Sequence, residues 1–358
     1  MTSNRHQLIE LIEQGAIEKD KINDALIISQ VQPRSNDWLN FFIQSLAWLG
    51  GLAITFSVLF FVAFNWDEMG KFAKFALVEL LVILAVAAYY KLNALTHQAS
   101  ISSDNSIIKS SVTSKFSKVS ESVTKVPLFM AAIFFGVLLA LFGQTYQTGA
   151  DPWQLFFNWA VLILPWVIIG RLSALWMLWI GLINLSILLY YMNFSGTLGF
   201  FINQELNSLW VIFFFNTLVL ACWELLSQRY TWLSARWAPR LLAIASGTCI
   251  SWLMVGSILG FSDESYLSSG FSEIGILPVM IWPMWLIAMY LGYRKYQQDL
   301  FMLAGILVSV NIVVICFVLS HWLEAIGEIG FLLISNMMIA MAAGSAIWLR
   351  KINKEWQS

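Results

Sequence analysis

The chain has 358 residues, 59% of them hydrophobic and 11% charged, with a net charge of −1 and a mean hydropathy of +0.73. A soluble domain carries about 25% charged residues, so composition excludes an aqueous globule, and the near-zero net charge excludes nucleic acid as an electrostatic partner. Repeated apolar blocks remain, each about 20 residues long and able as a helix to cross ~30 Å of hydrocarbon; they lack the alternation of a membrane β-strand, which predicts an all-α polytopic helical membrane protein.

Residues 1–36 read as a short helical hairpin in water. Leu8, Ile9, Leu11 and Ile12 form one apolar stripe, and Gly15 is placed to close that helix in a left-handed cap. A second helix carries Ile22, Ala25, Leu26 and Ile28 and is expected to end by Pro33. The first 37 residues are polar, so the first spanning helix is expected to serve as an uncleaved signal.

Ten spans follow, at 40–64, 72–91, 128–147, 153–170, 173–192, 207–226, 240–261, 277–293, 300–319 and 329–349. Together they make a membrane domain over 40–349, interrupted by a Ser- and Lys-bearing loop at 92–126 and followed by a tail at 350–358. The apolar run from Trp153 to Met192 is twice a membrane width, and a tight turn at Gly170-Arg171-Leu172-Ser173 splits it. The loop reads as a flexible insertion, since its Ser-rich part from 97 has few large apolar groups to bury.

Ten spans put eighteen of the twenty Lys and Arg on one side. They comprise Arg5, Lys19, Lys21 and Arg34; five Lys from Lys91 to Lys125; Arg171; Arg229, Arg236 and Arg240; Arg294 and Lys295; and Arg350, Lys351 and Lys354. Only Lys71 and Lys74 fall opposite, beside Asp67 and Glu68. The positive-inside bias predicts a bacterial inner-membrane protein with both termini in the cytoplasm. Trp residues near the expected interfaces, such as Trp38, Trp66, Trp153, Trp232 and Trp322, fit an aromatic belt.

Catalytic signatures are missing: the chain has no HExxH, GxSxG, GxxxxGK[ST] or GxGxxG. No enzyme activity, cofactor or metal is expected. His6, His97 and His321 lie far apart, and Cys222, Cys249 and Cys316 sit singly in apolar blocks. Glu79, near the middle of the second span, is the sharpest single residue. A charged group at that depth costs about 2.5–3.5 kcal/mol on insertion scales, so it is expected to face a bundle interior, as a proton-coupling carboxylate or as a hydrogen-bonded lock. A second candidate group lies at the first two external turns: Asn65, Trp66 and Asp67, with Gln144, Tyr146, Gln147 and Asp151. Gln144 and Gln147 are expected on one helix side with Asp151, lining a polar pocket or capping helices. Asn158, Asn184, Asn216, Asn311 and Asn336 are expected to join helices, and Gly256 and Gly260 to permit close packing. A faint echo relates the hairpin from Gly51 to Asp67 with that from Gly136 to Asp151.

The turn Gly15-Ala16-Ile17, the run Phe64-Asn65-Trp66-Asp67, and Phe142-Gly143-Gln144-Thr145-Tyr146 followed by Gly149, Asp151 and Trp159 resemble the bacterial DUF2157 membrane family over about residues 5–170. The resemblance implies an integral membrane protein and brings no established activity. It singles out Asn65, Trp66, Gln144, Tyr146, Asp151 and Trp159 as a shared external feature.

These observations lead to a permease-like or small-ligand-binding membrane protein as the expected function, with a sensor, scaffold or assembly factor as the rival. The expected partners are the lipid bilayer, a small molecule or proton, and a protein at residues 1–36.

Overall fold

The computed structural model describes residues 4–29, 33, 35–65, 67–104, 123–193, 204–259, 273–326 and 328–357. Among them no strand occurs, and ten helices are long and apolar enough to cross a membrane, as the apolar blocks predict. In chain order the helices are α1 (Asn4–Glu13), α2 (Ile22–Ile28), α3 (Ser35–Phe64), α4 (Lys71–Asp104), α5 (Val126–Tyr146), α6 (Pro152–Gly170), α7 (Ser173–Asn193), α8 (Gln204–Ser227), α9 (Trp237–Leu259), α10 (Glu273–Leu291), α11 (Leu300–Ile326) and α12 (Glu328–Gln357). The chain divides into two compact units, Met1–Ser186 and Ile187–Ser358.

Local chemistry sets several boundaries. Gly15 takes φ +68 after α1, and the N–H groups of Gly15 and Ala16 close on the Ile12 and Leu11 carbonyls, as a left-handed glycine cap requires. Helix α2 ends at Ile28, ahead of Pro33. Arg171 closes α6 at φ 45, and α7 starts at Ser173, so the turn splitting the long apolar run falls where expected. Helix α4 runs on to Asp104, so residues 92–104 are helical and not part of a loop; residues 105–122 lie outside the described residues.

In the first unit, α5 is the central helix and packs on α3, α4 and α6. Lipid tails are as apolar as the side chains, so helices here hold together by close packing and hydrogen bonds rather than by escape from water. Two glycines supply the close approach. A Cβ at Gly51 of α3 would come within 2.7 Å of Val126, and one at Gly136 of α5 would overlap the Trp159 indole of α6. The two hairpins that echo each other therefore each place a glycine at a helix crossing. Indole N–H groups add fixed bonds: Trp159 donates to the Ala132 carbonyl at 2.9 Å and Trp179 to the Ala160 carbonyl at 3.1 Å. Ser186 donates to the Trp153 carbonyl at 3.1 Å, tying α7 to the start of α6.

In the second unit, α9 is the hub, touching α8, α10 and α11, while α12 packs along α11. The buried face of α9 includes Ala238, Ala243, Ser246, Ser251 and Gly256, small residues that admit neighbouring backbones. Gly260, the partner expected for Gly256, lies outside the described residues. The expectation that asparagines join helices holds for Asn311, whose amide donates to Ser345 of α12 at 3.3 Å. Asn184, Asn216 and Asn336 each donate to a carbonyl four residues back in their own helix.

Candidate functional site

The residues of the α3–α4 and α5–α6 turns gather at one end of the first unit, because α3 and α5 finish where α4 and α6 begin. The ring pair Phe75–Tyr146, with centroids 6.1 Å apart, joins the start of α4 to the end of α5, and the Phe142 ring lies tilted by 45° against Tyr146 at 4.9 Å. Asn65 donates its side-chain amide to the Phe61 carbonyl at 2.8 Å, which closes the last turn of α3. Trp66 lies outside the described residues, and Asp67 is exposed.

Gln144 is exposed within α5, whereas Gln147 is the residue that ends it, at φ 45, with its backbone N–H on the Gly143 carbonyl. The expected shared helix side of Gln144 and Gln147 is therefore corrected: the left-handed turn carries Gln147 off the helix. Asp151 precedes α6 in extended conformation, with its carbonyl accepting from Gln154 N–H at 3.0 Å. Trp159 braces α5 from within the bundle, a packing role that its indole bond and the Gly136 crossing define.

Glu79 is exposed on α4, beside the exposed Leu80 and Ile83. The face of α4 turned to α5 carries Phe75, Val78, Val82 and Ala85 instead. Glu79 and Gln144 make no hydrogen bond or ion pair among the described residues, so neither is joined to Asp151. Physically, the sequence gives the depth of Glu79 but not its azimuth, and the azimuth is outward.

The second unit holds a polar cluster that charge counting overlooked. It sits where the α8–α9 and α10–α11 connections meet. Asp299 caps α11, its Oδ1 accepting from Phe301 N–H at 3.0 Å, as an acidic residue before an apolar helix does. Its carboxylate takes a two-pronged bond from Arg240, Nε to Oδ2 and Nη2 to Oδ1, each 3.1 Å. Arg236 Nη2 adds a third donor to Oδ2 at 3.1 Å. Arg236 also reaches Glu224 of α8 at 3.2 Å and bonds Gln297, and Tyr293 donates to Glu224 Oε1 at 2.8 Å.

The Asp299 side chain is 3% exposed, against 35% and 39% for Arg236 and Arg240. Burial by itself raises the Asp299 pKa; the Arg240 hydrogen bonds and charge, the Phe301 N–H and the Arg236 charge outweigh it, and the carboxyl lies below its ordinary 3.8. Glu224 and Asp299 are acids set among the arginines of the α8–α9 and α10–α11 connections, and that nearness of opposite charges is the only trace of the cluster in the sequence.

Directly below this cluster, α9, α10 and α11 enclose an apolar groove of about 350 Å³. Its walls are Ala243, Gly247 and Trp252 on α9, Trp285 and Met289 on α10, and Phe301 and Gly305 on α11, among others. Gly305 opens the wall, since a Cβ there meets nothing within 4 Å. Trp252 and Val308 line it while remaining 58% and 56% exposed, so the groove opens sideways on the helix surface. Two wall hydroxyls bond each other, Ser251 Oγ lying 2.6 Å from Ser309 Oγ, which also accepts from Trp282 Nε1 at 2.9 Å, whereas the Trp285 indole N–H is buried without a hydrogen-bond partner among the described residues. The groove and the cluster share a residue, because the Arg240 guanidinium lies over the Phe301 ring, 5.2 Å from its centroid. The groove has no sequence signature, since it depends on which faces of three helices meet.

No group of three or more His, Cys, Asp or Glu suited to a metal occurs among the described residues. Residues 10–176 match a family model described as a predicted membrane protein, DUF2157. No curated protein and no solved structure matches the chain.

Proposed function

We propose that this member of the DUF2157 family of predicted membrane proteins, matched over residues 10–176, is a multi-pass membrane protein that binds a small apolar ligand inside the bilayer, in the groove between α9, α10 and α11. The groove lies beyond the matched residues, so the family lends it no support, and the reading rests on the cavity itself. Its volume of about 350 Å³ falls at the lower end of ligand pockets, which run to roughly 300–1,000 Å³. Ser251, Ser309 and the Trp282 indole bond one another, and the lining around them is mostly hydrocarbon, which favours an apolar occupant.

The orientation follows from charge. The arginine-rich connections of the second unit face the cytoplasm of a bacterial inner membrane by the positive-inside rule. Cysteines placed at Tyr230 and Tyr296, both exposed, in a chain lacking the native thiols, test it. An impermeant maleimide labels them in inverted vesicles and spares them in intact spheroplasts; the reverse pattern overturns the orientation.

Binding itself is tested with an alkyl diazirine photoprobe on the full chain in detergent. Adducts concentrate on 243–255 and 301–312, and Gly305→Leu, which fills the opening, removes them. Adducts spread evenly over exposed helix faces, indifferent to Gly305→Leu, would contradict the reading.

A further inference from the structure

The groove does not end in hydrocarbon at its arginine end. Phe301 forms part of its wall, and the Arg240 guanidinium lies on the face of that ring. Asp299 fixes Arg240 through Nε and Nη2, which leaves Nη1 without a partner among the described residues, on a side chain 39% exposed. An arginine held on one edge by a buried carboxylate is a preorganised donor for a second anion on its other edge, since its fork matches carboxylate and phosphate geometry.

Two further observations define that anion. The wall on α11 runs from Phe301 to Ile312, a separation of eleven positions, which at 1.5 Å each spans about 16 Å. That is half of the ~30 Å hydrocarbon thickness, the depth of one leaflet. The surrounding membrane face is also cationic. Arg294 pairs with Glu355 at 2.8 Å, bringing the end of α12 to the α10–α11 connection. On this end of the second unit eight Lys and Arg stand against Glu224, Asp299 and Glu355, a surplus of five positive charges.

We infer that the groove holds one acyl chain of an anionic phospholipid from the leaflet at the arginine end, with the lipid phosphate on Arg240. This assignment deepens the apolar-ligand reading above and rests on it. A free fatty chain would use the groove alone; the phosphate adds a contact that only a headgroup at this depth can reach. Asp299 and Arg236 are positioning residues for Arg240 and do not themselves touch the lipid.

The test is native mass spectrometry of the full chain, stripped of lipid in detergent and then offered dioleoylphosphatidylglycerol or dioleoylglycerol, which share their chains and differ in the phosphate-bearing head. The wild type retains one dioleoylphosphatidylglycerol per chain, at least tenfold more tightly than dioleoylglycerol. Gly305→Leu loses retention of both, and Arg240→Gln loses the preference while keeping dioleoylglycerol. Equal retention of the two lipids by the wild type would overturn the headgroup assignment and leave the apolar-ligand reading standing. Retention untouched by Gly305→Leu would overturn both. Should Arg240→Gln fail to fold, the wild-type comparison and Gly305→Leu decide the matter between them.

Discussion

Asp299 organises the arginine end of the second unit with a single carboxylate, accepting from two guanidiniums and from the first turn of α11. Asp299→Asn keeps the shape and removes the charge, leaving Arg236 and Arg240 short of their partner. Breaking a buried pair costs about 3–5 kcal/mol; with both arginines more than a third exposed, about 3 kcal/mol is expected in an unfolding titration. The pH dependence has a definite sign. Because the folded pKa is depressed, the contribution is complete above the ordinary value of 3.8 and is lost as pH falls through the lower folded value. Thermal unfolding of the wild type therefore steepens its decline below pH 3.8, and Asp299→Asn lacks that component. Glu79 behaves differently. Exposed and without a bond among the described residues, it should be replaceable by Leu with a change in stability within about 0.5 kcal/mol. A larger loss would show a partner for its carboxyl.

Among elements, the α5–α6 crossing carries the clearest packing prediction. Gly136→Ala puts a methyl into the Trp159 indole and should cost about 1–3 kcal/mol by overpacking, whereas Trp159→Phe removes one hydrogen bond, about 1 kcal/mol. The two changes share a contact, so their sum should overestimate the double variant in a denaturation cycle. Additivity would separate the indole from Gly136. The crossing also shows where sequence reading stops. The Gly15 cap, the Gly170–Ser173 turn and the spans themselves are local, written in residues next to one another. Trp159 finds Ala132 27 positions away, and Arg240 finds Asp299 at 59. Such pairings depend on helix azimuth, which apolar blocks of nearly uniform hydrophobicity do not encode. For the same reason the indoles of Trp159, Trp179 and Trp282 prove to be interhelical braces, beyond the interfacial belt that their abundance suggests.

For the whole molecule, the sequence yields the membrane class and the ten candidate spans found among the described residues, because length and hydrophobicity alone determine whether a segment crosses a bilayer. The candidate binding site was not legible: the residues that sequence motifs emphasise cap turns, brace helices or lie exposed, while the groove is built from unremarked Gly, Ser and Trp positions on three helices. Thermal unfolding of the purified chain with and without added dioleoylphosphatidylglycerol tests whether that groove binds lipid. A ligand that binds only the folded state at about 100 times its dissociation constant stabilises by about 2.7 kcal/mol. The melting temperature of the wild type rises accordingly and that of Gly305→Leu does not; an equal rise in both would contradict binding in the groove.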